Sequence, residues 1–289
     1  MLTPEIILQT LISGLLMGCI YALVAVGLCL IWGLMEIVNF AHGQFMMLAM
    51  FLSFWMYTLF GVDPLLSIPL GGIALFLLGV ATYHLIIKGM LHTTFFAQIF
   101  ATFGLGIFLH SAAQFLWTAN YRSIQNPFLA GRIAIHNIYI GFPQMGAAAM
   151  CVISFIFLYW FINKTEVGLA LQAASEDREA ASLMGVNSHR IFALGWGIGS
   201  ACVGIAGVLL TNFFYIFPEV GFTFALIAYV AVALGGCGSI VGTFLAGIII
   251  GLVEAFSGLL IDPAFKYFAI YVLYMVVIFF RPQGLWGRY

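Results

Sequence analysis

Charged side chains are scarce in this 289-residue chain: Asp, Glu, Lys and Arg together make up 7% of it, against about 25% in soluble proteins. Hydrophobic residues make up 64%. A soluble fold of this length needs far more charge on its outside, because Lys, Glu, Asp and Arg are the residues that stay in water. The composition excludes an ordinary soluble protein and predicts a surface that faces membrane lipid.

Clusters of basic residues and of cysteines are missing as well. The nine Lys and Arg residues are spread from Lys88 to Arg288, and the net charge is −1, so the basic surface of a nucleic-acid-binding protein is absent. The cysteines are isolated in apolar stretches without CxxC spacing, which predicts small packing residues rather than metal ligands or disulfides. They are Cys19, Cys29, Cys151, Cys202 and Cys237.

Motifs for chemistry are also lacking. His84, His92 and His110 share no metal-ligand spacing, so no metal site is predicted. No Ser, His and Asp set indicates nucleophilic catalysis. The sequence contains no GxxxxGK[ST] phosphate loop, and the run from Gly235 to Gly242 fits neither that pattern nor GxGxxG. We therefore predict no catalytic residues and no bound cofactor.

Long apolar runs dominate the chain. A helix needs about 20 apolar residues to cross about 30 Å of hydrocarbon, and charged residues divide the chain into eight units of that order. They lie at 8–34, 42–60, 65–87, 95–117, 138–162, 190–216, 222–260 and 266–280. The fold class is all-α, a polytopic membrane protein with about 8–9 transmembrane helices in a single domain, 1–289.

The unit at 222–260 is too long for one crossing and contains a glycine run. Glycine weakens a helix by up to about 1 kcal/mol per residue, so a broken or re-entrant helix is predicted near 235–239. Irregular backbone at membrane depth is tolerated only where protein or a water-filled cavity satisfies its polar groups. Four residues of this run are therefore candidates to line a translocation path: Gly235, Gly236, Gly238 and Ser239.

Basic residues near span ends predict the orientation, because they accumulate on the cytoplasmic side. Two crossings at 222–260 place six inside, namely Lys88, Lys164, Arg178, Arg190, Arg281 and Arg288, and three outside, namely Arg122, Arg132 and Lys266. This version predicts an external N-terminus and a cytoplasmic C-terminus. The alternative, one crossing at 222–260, moves Arg281 and Arg288 outside and fits the rule less well.

One segment, 163–190, is too polar to span and holds six of the nineteen charged residues between Lys164 and Glu179. A short helix is predicted from Glu176 to Met184, a rod of roughly 14 Å. Ser175 is the predicted N-cap, and Gly185 is predicted to end the helix in a left-handed conformation.

Ala180, Leu183 and Met184 share one face of that predicted helix. A short amphipathic helix between two spans is suited to a groove on a soluble partner. The alternative is an ordinary cytoplasmic loop whose charges only keep it solvated.

Several polar residues lie in or near spans, where a buried charge costs roughly 2.5–3.5 kcal/mol on insertion scales. Glu254 could face the path or hydrogen-bond a broken helix; a structural carboxyl held by neighbouring backbone, or a protonated one, is an equal alternative. Asn39, His42 and Gln44 lie where two spans meet. They either satisfy the backbone of a tight turn or take part in gating and substrate contact.

The order of residues in 163–190 carries a resemblance. Glu179-Ala180-Ala181, three residues and Gly185 match EAA-x-x-x-G, the core of the loop by which ATP-binding-cassette (ABC) importer permeases contact their ATPases. Other matching segments are IYALVAVGL from Ile20, IVNFAHGQF from Ile37, TEVGLALQAASEDREAASLMGVN from Thr165, GIAGVLL from Gly204, LGGCGSIVGTFLAGIIIGLVEA from Leu234 and FFRPQGLWGR from Phe279. The chain thus resembles the branched-chain amino acid permeases of the LivH and LivM type, closer to LivH.

This resemblance implies the membrane subunit of an ABC importer in the bacterial cytoplasmic (inner) membrane, moving branched-chain or hydrophobic amino acids by alternating access. It implies two cytoplasmic ABC ATPase subunits that hydrolyse the ATP, a second permease that is LivM-like or identical, and an external solute-binding protein. The ATPase-coupling residues it implies, within a cytoplasmic loop at 163–190, are Ser175, Glu176, Asp177, Arg178, Glu179, Ala180, Ala181, Leu183, Met184 and Gly185. The alternative is a stand-alone secondary transporter or channel for a small polar solute such as urea or an amide.

Overall fold

A computed structural model describes residues 3–91, 93–125, 127–135 and 138–287 of the chain. His92 and Arg288, considered above, lie outside these ranges. Within them the helices are α1 (Pro4–Met35), α2 (His42–Phe60), α3 (Pro64–Thr82), α4 (Lys88–Met90), α5 (Phe95–Trp117), α6 (Phe142–Lys164), α7 (Glu166–Glu176), α8 (Arg178–Leu183), α9 (Ser188–Leu210), α10 (Val220–Gly235), α11 (Ile240–Leu260) and α12 (Lys266–Phe280). A π-helical segment (Tyr83–Ile87) joins α3 to α4, and a 3₁₀ turn (Pro263–Phe265) precedes α12.

Eight helices in the described ranges are long and apolar enough to cross a membrane, and α10 is a shorter apolar helix. Its 16 residues span about 24 Å, less than the thickness of the hydrocarbon. The polytopic all-α fold is therefore as predicted.

The predicted break in 222–260 lies between α10 and α11. Gly236 and Gly238 have φ of 97° and 83°, a left-handed backbone that residues with a Cβ rarely adopt. Ser239 then starts α11, because its side-chain oxygen accepts a hydrogen bond from the Gly242 N–H at 3.2 Å. The glycine run thus ends one helix and allows the next to begin.

Helix α1 lies at the centre of the bundle and packs antiparallel to α11. A Cβ on Gly14 would lie 2.9 Å from Ala255 Cβ, and a Cβ on Gly18 would lie 2.8 Å from Ile248 Cα. Helix α9 approaches α1 as closely, since a Cβ on Gly27 would lie 2.5 Å from the Gly199 carbonyl oxygen. Glycine permits this backbone contact, which supplies packing where lipid gives helices no hydrophobic reason to associate.

The bundle has two distinct ends. We call the end that carries α7 and α8 the α7 end. The opposite end, the hairpin end, carries the antiparallel strands β1 (Arg132–Ile135) and β2 (Ile138–Gly141). This hairpin is tied to the start of α1, since Gln9 Nε2 donates to the Tyr139 carbonyl at 3.3 Å.

The basic residues divide between these ends as the two-crossing version predicts. Five of those in the described ranges lie at the α7 end: Lys88, Lys164, Arg178, Arg190 and Arg281. Three lie at the hairpin end: Arg122, Arg132 and Lys266. The last described residues also lie at the α7 end, where the Leu285 N–H donates to the Leu234 carbonyl at 2.8 Å.

The connection from α1 to α2 is re-entrant, which the sequence had not indicated. His42 is the first residue of α2, yet its Nε2 bonds to the Val24 carbonyl at 2.9 Å. Val24 precedes the end of α1 by eleven residues, or about 16 Å. The segment 36–41 therefore returns from the α7 end to mid-bundle depth before α2 begins.

Candidate functional site

The polar insert between α6 and α9 forms two helices. Thr165 caps α7, with its side-chain oxygen accepting from the Gly168 N–H at 3.0 Å. Leu171 and Ala174 are buried, and Gln172 Nε2 donates to the Ile162 carbonyl at 3.1 Å. Helix α7 is thereby anchored to the end of α6.

The second helix, α8, is shorter than predicted, and its cap is a different residue. Asp177 is the N-cap: its Oδ1 accepts from the N–H groups of Glu179 and Ala180, both at 2.9 Å. Ser175 lies instead in the last turn of α7, where its hydroxyl donates to the Gln172 carbonyl at 2.7 Å. The prediction of a Ser175 cap was wrong because the carboxylate two residues later accepts two backbone donors at once.

Two further details of the predicted helix change accordingly. Glu176 ends α7 rather than opening the second helix, and α8 has six residues, a length of about 9 Å. Gly185 does end α8 in the left-handed conformation, with φ of 88°. The Val186 N–H donates to the Ala181 carbonyl at 3.0 Å and the Gly185 N–H to the Ser182 carbonyl at 3.0 Å, so the last carbonyls of the helix are satisfied.

One side of α8 packs against the rest of the protein, and the other side is exposed. Ala181 is buried, and the Arg178 guanidinium lies 5.3 Å from the centre of the Phe192 ring on α9. Leu183 and Met184 are 87% and 85% exposed. Ala180, also exposed, lies beside them. These three exposed residues together form an apolar surface on α8, which we call the apolar knob.

A cleft of about 540 Å³ separates the insert from the break in 222–260. Ser175, Glu176 and Gln172 line one wall; Cys237, Gly238 and Ser239 line the other. Members of two predicted sets therefore line one cleft: Ser175 and Glu176 from the coupling residues, and Gly238 and Ser239 from the glycine run. Gly235 and Gly236 do not line it: Gly235 packs on Gly242 and Thr243, and Gly236 on Gly287.

The predicted group of Asn39, His42 and Gln44 is brought together at mid-bundle depth, where all three are at most 1% exposed. Asn39 Oδ1 accepts from the Ala41 N–H at 3.0 Å, and the Asn39 carbonyl accepts from the Tyr229 hydroxyl at 3.0 Å. These bonds satisfy the re-entrant backbone. Asn39 Nδ2, His42 Nδ1 and Gln44 Oε1 are buried and have no hydrogen-bond partner among the described residues.

Glu254 belongs to neither of these places. Its carboxylate accepts from the Tyr21 hydroxyl at 2.5 Å and pairs with Lys266 Nζ at 2.9 Å. It lies fifteen residues along α11 from Ser239, or about 22 Å, toward the hairpin end. Side chains of α1 and α12 hold it, rather than the backbone of a broken helix.

Residues 10–279 match the family described as "Branched-chain amino acid transport system / permease component". The chain belongs to this family. It is 30% identical over 300 residues to the permease protein BraD of a high-affinity branched-chain amino acid transport system of Pseudomonas aeruginosa, covering 99% of the chain and 98% of that protein. It is 28% identical to LivH of Escherichia coli (strain K12), covering 97% and 96%. No solved structure matches it.

The family confirms the predicted class. The chain is a multi-pass permease component of a transport system, and the family is one of transport permeases rather than enzymes. A probable branched-chain amino acid transport permease protein LivH of Methanocaldococcus jannaschii is also similar, at 25% identity over 92% of the chain and 88% of that protein.

One group of polar residues in this permease was missed by the sequence reasoning. Thr102, Gly106, His110 and Gln114 recur every four residues on α5 and share one face. Thr102 donates to the Val38 carbonyl at 3.0 Å. The regular spacing on an otherwise apolar helix was the signal that could have revealed this stripe.

The stripe follows the re-entrant segment and ends at Glu219. A Cβ on Gly106 would lie 3.4 Å from the Phe40 carbonyl oxygen. Gln114 Nε2 donates to Glu219 Oε1 at 2.8 Å, and His110 Nε2 lies 3.7 Å from the same oxygen. These three side chains form a polar cluster at the hairpin end of α5, just before α10.

Proposed function

We propose that this chain is the permease subunit of an ABC importer that carries branched-chain or other hydrophobic amino acids across the bacterial cytoplasmic membrane. Membership of the family and the names of its relatives support this substrate class. Two cytoplasmic ABC ATPases, a second permease and an external solute-binding protein complete the complex. The permease domain covers 1–289, with 163–190 as its cytoplasmic coupling loop.

The main support for a role in contacting the ATPases is the exposure of the apolar knob on α8. An exposed Leu, Met and Ala on a capped, anchored helix is the geometry that fills a groove on a partner protein. Leu183 and Met184 cannot reach hydrocarbon if the charges of α7 and α8 remain in water. Ser175 through Ala181, with Gly185, then hold the knob in place, so that ATPase closure pushes on α7 and α9 as on a rigid body.

The uneven distribution of basic residues supports the orientation. Among the described residues, the α7 end carries five Lys and Arg residues and the hairpin end three, which favours a cytoplasmic α7 end. The C-terminal segment is then cytoplasmic and the start of α1 external. ATP is hydrolysed by the partner subunits, and the permease itself requires no cofactor.

The path we propose runs past Asn39, His42 and Gln44 at mid-depth and reaches the cleft beside Gly238 and Ser239. The unpaired buried atoms of the first group support a role beyond satisfying the turn, because such atoms cost about 1–3 kcal/mol each. Glu254 is excluded from our path, since it is held between helices. Gly235 and Gly236 serve the packing of the break.

ATP-dependent uptake tests this function. Proteoliposomes carrying the permeases and ATPases, with leucine-loaded binding protein outside, should accumulate labelled leucine only when ATP is supplied to the ATPases. Uptake at the same rate without ATP would favour the stand-alone transporter instead, a class that the family does not support.

A further inference from the structure

We propose that Glu219, His110 and Gln114 bind the primary ammonium group of the amino acid as it enters the permease from the hairpin end. This inference rests on the proposed import function and adds to it a substrate-binding site. The cluster is separate from the coupling loop, the mid-depth group and the pair at Glu254.

The position of the cluster fits the mouth of a path. Gln114 lies three residues before the end of α5 at Trp117, and Glu219 immediately precedes α10. The Glu219 side chain is 48% exposed and that of His110 is 17% exposed, so the carboxylate is open to an arriving solute while the imidazole forms the inner wall.

The cluster also leads toward the buried group at mid-depth. Gly221, two residues after Glu219, lies against Gln44, because a Cβ there would be 2.7 Å from Gln44 Oε1. Below His110 on the α5 stripe, Thr102 and Gly106 contact the re-entrant segment itself. The start of α10 and the α5 stripe therefore both contact the polar mid-depth region, through Gln44 and through the re-entrant backbone.

The chemistry of the acceptors matches an ammonium group. An ammonium group has three N–H donors and no acceptor. Glu219 offers its carboxylate, and His110 in its Nδ1–H form offers Nε2, an atom that is buried and has no hydrogen-bond partner among the described residues. Gln114 donates through Nε2 and keeps its carbonyl Oε1 as a third acceptor.

The gap between Glu219 and His110 supports a bridging cation. Their facing atoms are 3.7 Å apart, which is too long for a hydrogen bond. Two N–H groups of a bound ammonium can instead donate one hydrogen bond each, one to Glu219 and one to His110. Charge-assisted bonds of this kind are roughly twice as strong as neutral ones, and the same carboxylate repels the carboxylate of the substrate, so the amino end leads.

Two substitutions separate this role from a purely structural one. Glu219→Gln removes the charge but keeps an oxygen that can accept from Gln114. Gln114→Leu removes that hydrogen bond and one neutral acceptor of the ammonium group, but it keeps the carboxylate that makes the stronger, charge-assisted bond. With saturating leucine-loaded binding protein, we expect Glu219→Gln to lower the maximal uptake rate at least tenfold, and Gln114→Leu to lower it less than threefold.

The control is Glu5→Gln, which removes a fully exposed carboxylate from the same end of the bundle and should leave uptake unchanged. Glu219→Asp against Glu219→Asn is a second pair that differs only in charge, usable if Glu219→Gln fails to assemble with the ATPases. We expect Asp to exceed Asn at least tenfold.

Two size-matched pairs test the charge: wild type against Glu219→Gln, and Glu219→Asp against Glu219→Asn. Equal rates within either pair would overturn the proposal. An equal loss in Glu219→Gln and Gln114→Leu would also overturn it, because that is the result expected of a structural tie between α5 and α10. A wild-type complex without ATP-dependent uptake would instead refute the import function itself. The two failures are therefore distinguishable.

Discussion

At the scale of single residues, three charged or polar side chains show how this permease tolerates polarity inside a bundle. The Glu254 side chain is 11% exposed and that of Lys266 is 37% exposed, so the carboxylate is nearly enclosed while the ammonium group reaches the surface of the bundle. Tyr21 adds a hydrogen bond from the central helix. The three side chains join α1, α11 and α12 near the hairpin end.

Glu254→Gln should destabilise the folded permease by about 1–3 kcal/mol, because it leaves the Lys266 ammonium partly buried without its counterion. This is less than the roughly 3–5 kcal/mol lost when a fully buried pair is broken, since Lys266 remains partly in water. Unfolding of the purified complex in detergent measures this. The double variant Glu254→Leu with Lys266→Leu is the control, and we expect it to regain most of the loss. A double variant as unstable as Glu254→Gln would contradict the ion-pair account.

Single-residue environments were the part of the site least accessible to sequence reasoning. That Glu254 needs a partner follows from the cost of a charge in lipid, but Lys266 and Tyr21 become its partners only through the packing of α1 and α12 on α11. Glu219 was missed for the same reason: its neighbours His110 and Gln114 are more than a hundred residues away in sequence.

At the scale of elements, most helix bounds could be predicted and most exceptions have a local cause. The apolar units 42–60 and 95–117 coincide with α2 and α5, since Gly61 follows the first and Thr94 and Thr118 flank the second. The unit that begins at 138 overruns because the strand Ile138–Gly141 is as apolar as the helix after it. The re-entrant depth of α2 left no trace in composition, because it depends on a hydrogen bond from His42 to Val24.

The caps of the coupling insert give a matched pair of variants. Asp177→Ala should cost α8 about 1 kcal/mol of stability by removing the acceptor of two N–H groups. Ser175→Ala removes only a hydroxyl that donates within α7, and we expect it to be neutral. Hydrogen exchange at the amides of Glu179 and Ala180 measures the difference, with faster exchange in Asp177→Ala alone. Faster exchange in Ser175→Ala instead would restore the cap that the sequence suggested.

At the scale of the whole molecule, the chain begins at the hairpin end and its last described residues lie at the α7 end. Helices α10 and α11 lie on either side of one break, which brings the C-terminal segment back to the α7 end beside Gly236. The uneven distribution of basic residues is the reason why we propose that this end faces the cytoplasm. The length and charge pattern of the chain predicted about 8–9 transmembrane helices, and the described residues contain eight of spanning length and the shorter α10. Which helices are central depended on glycine contacts that sequence spacing only suggests.

Cys237 offers a direct test of that direction. It is the exposed cysteine at the α7 end, while Cys19, Cys29, Cys151 and Cys202 are buried. Partial desolvation raises the pKa of the Cys237 thiol above its ordinary value, so the rate of its reaction should keep rising into the alkaline range as thiolate forms. A charged, membrane-impermeant methanethiosulfonate reagent should label inside-out vesicles and not right-side-out ones, and Cys237→Ala should abolish the labelling. Labelling of right-side-out vesicles alone would invert the proposed topology.

The central claim is that ATPase motion reaches the transmembrane helices through the exposed knob of α8. Replacing Leu183 by Asp places a charge at the centre of that knob without touching the anchored side of the helix, whereas Ala173→Asp places the same charge on an exposed position of α7. The decisive measurement is leucine uptake per ATP hydrolysed in reconstituted complexes of both variants. We expect Leu183→Asp to lower this ratio at least tenfold, or to lose the ATPases altogether, while Ala173→Asp stays within twofold of wild type. A Leu183→Asp complex that retains its ATPases and transports as efficiently as wild type would contradict the account.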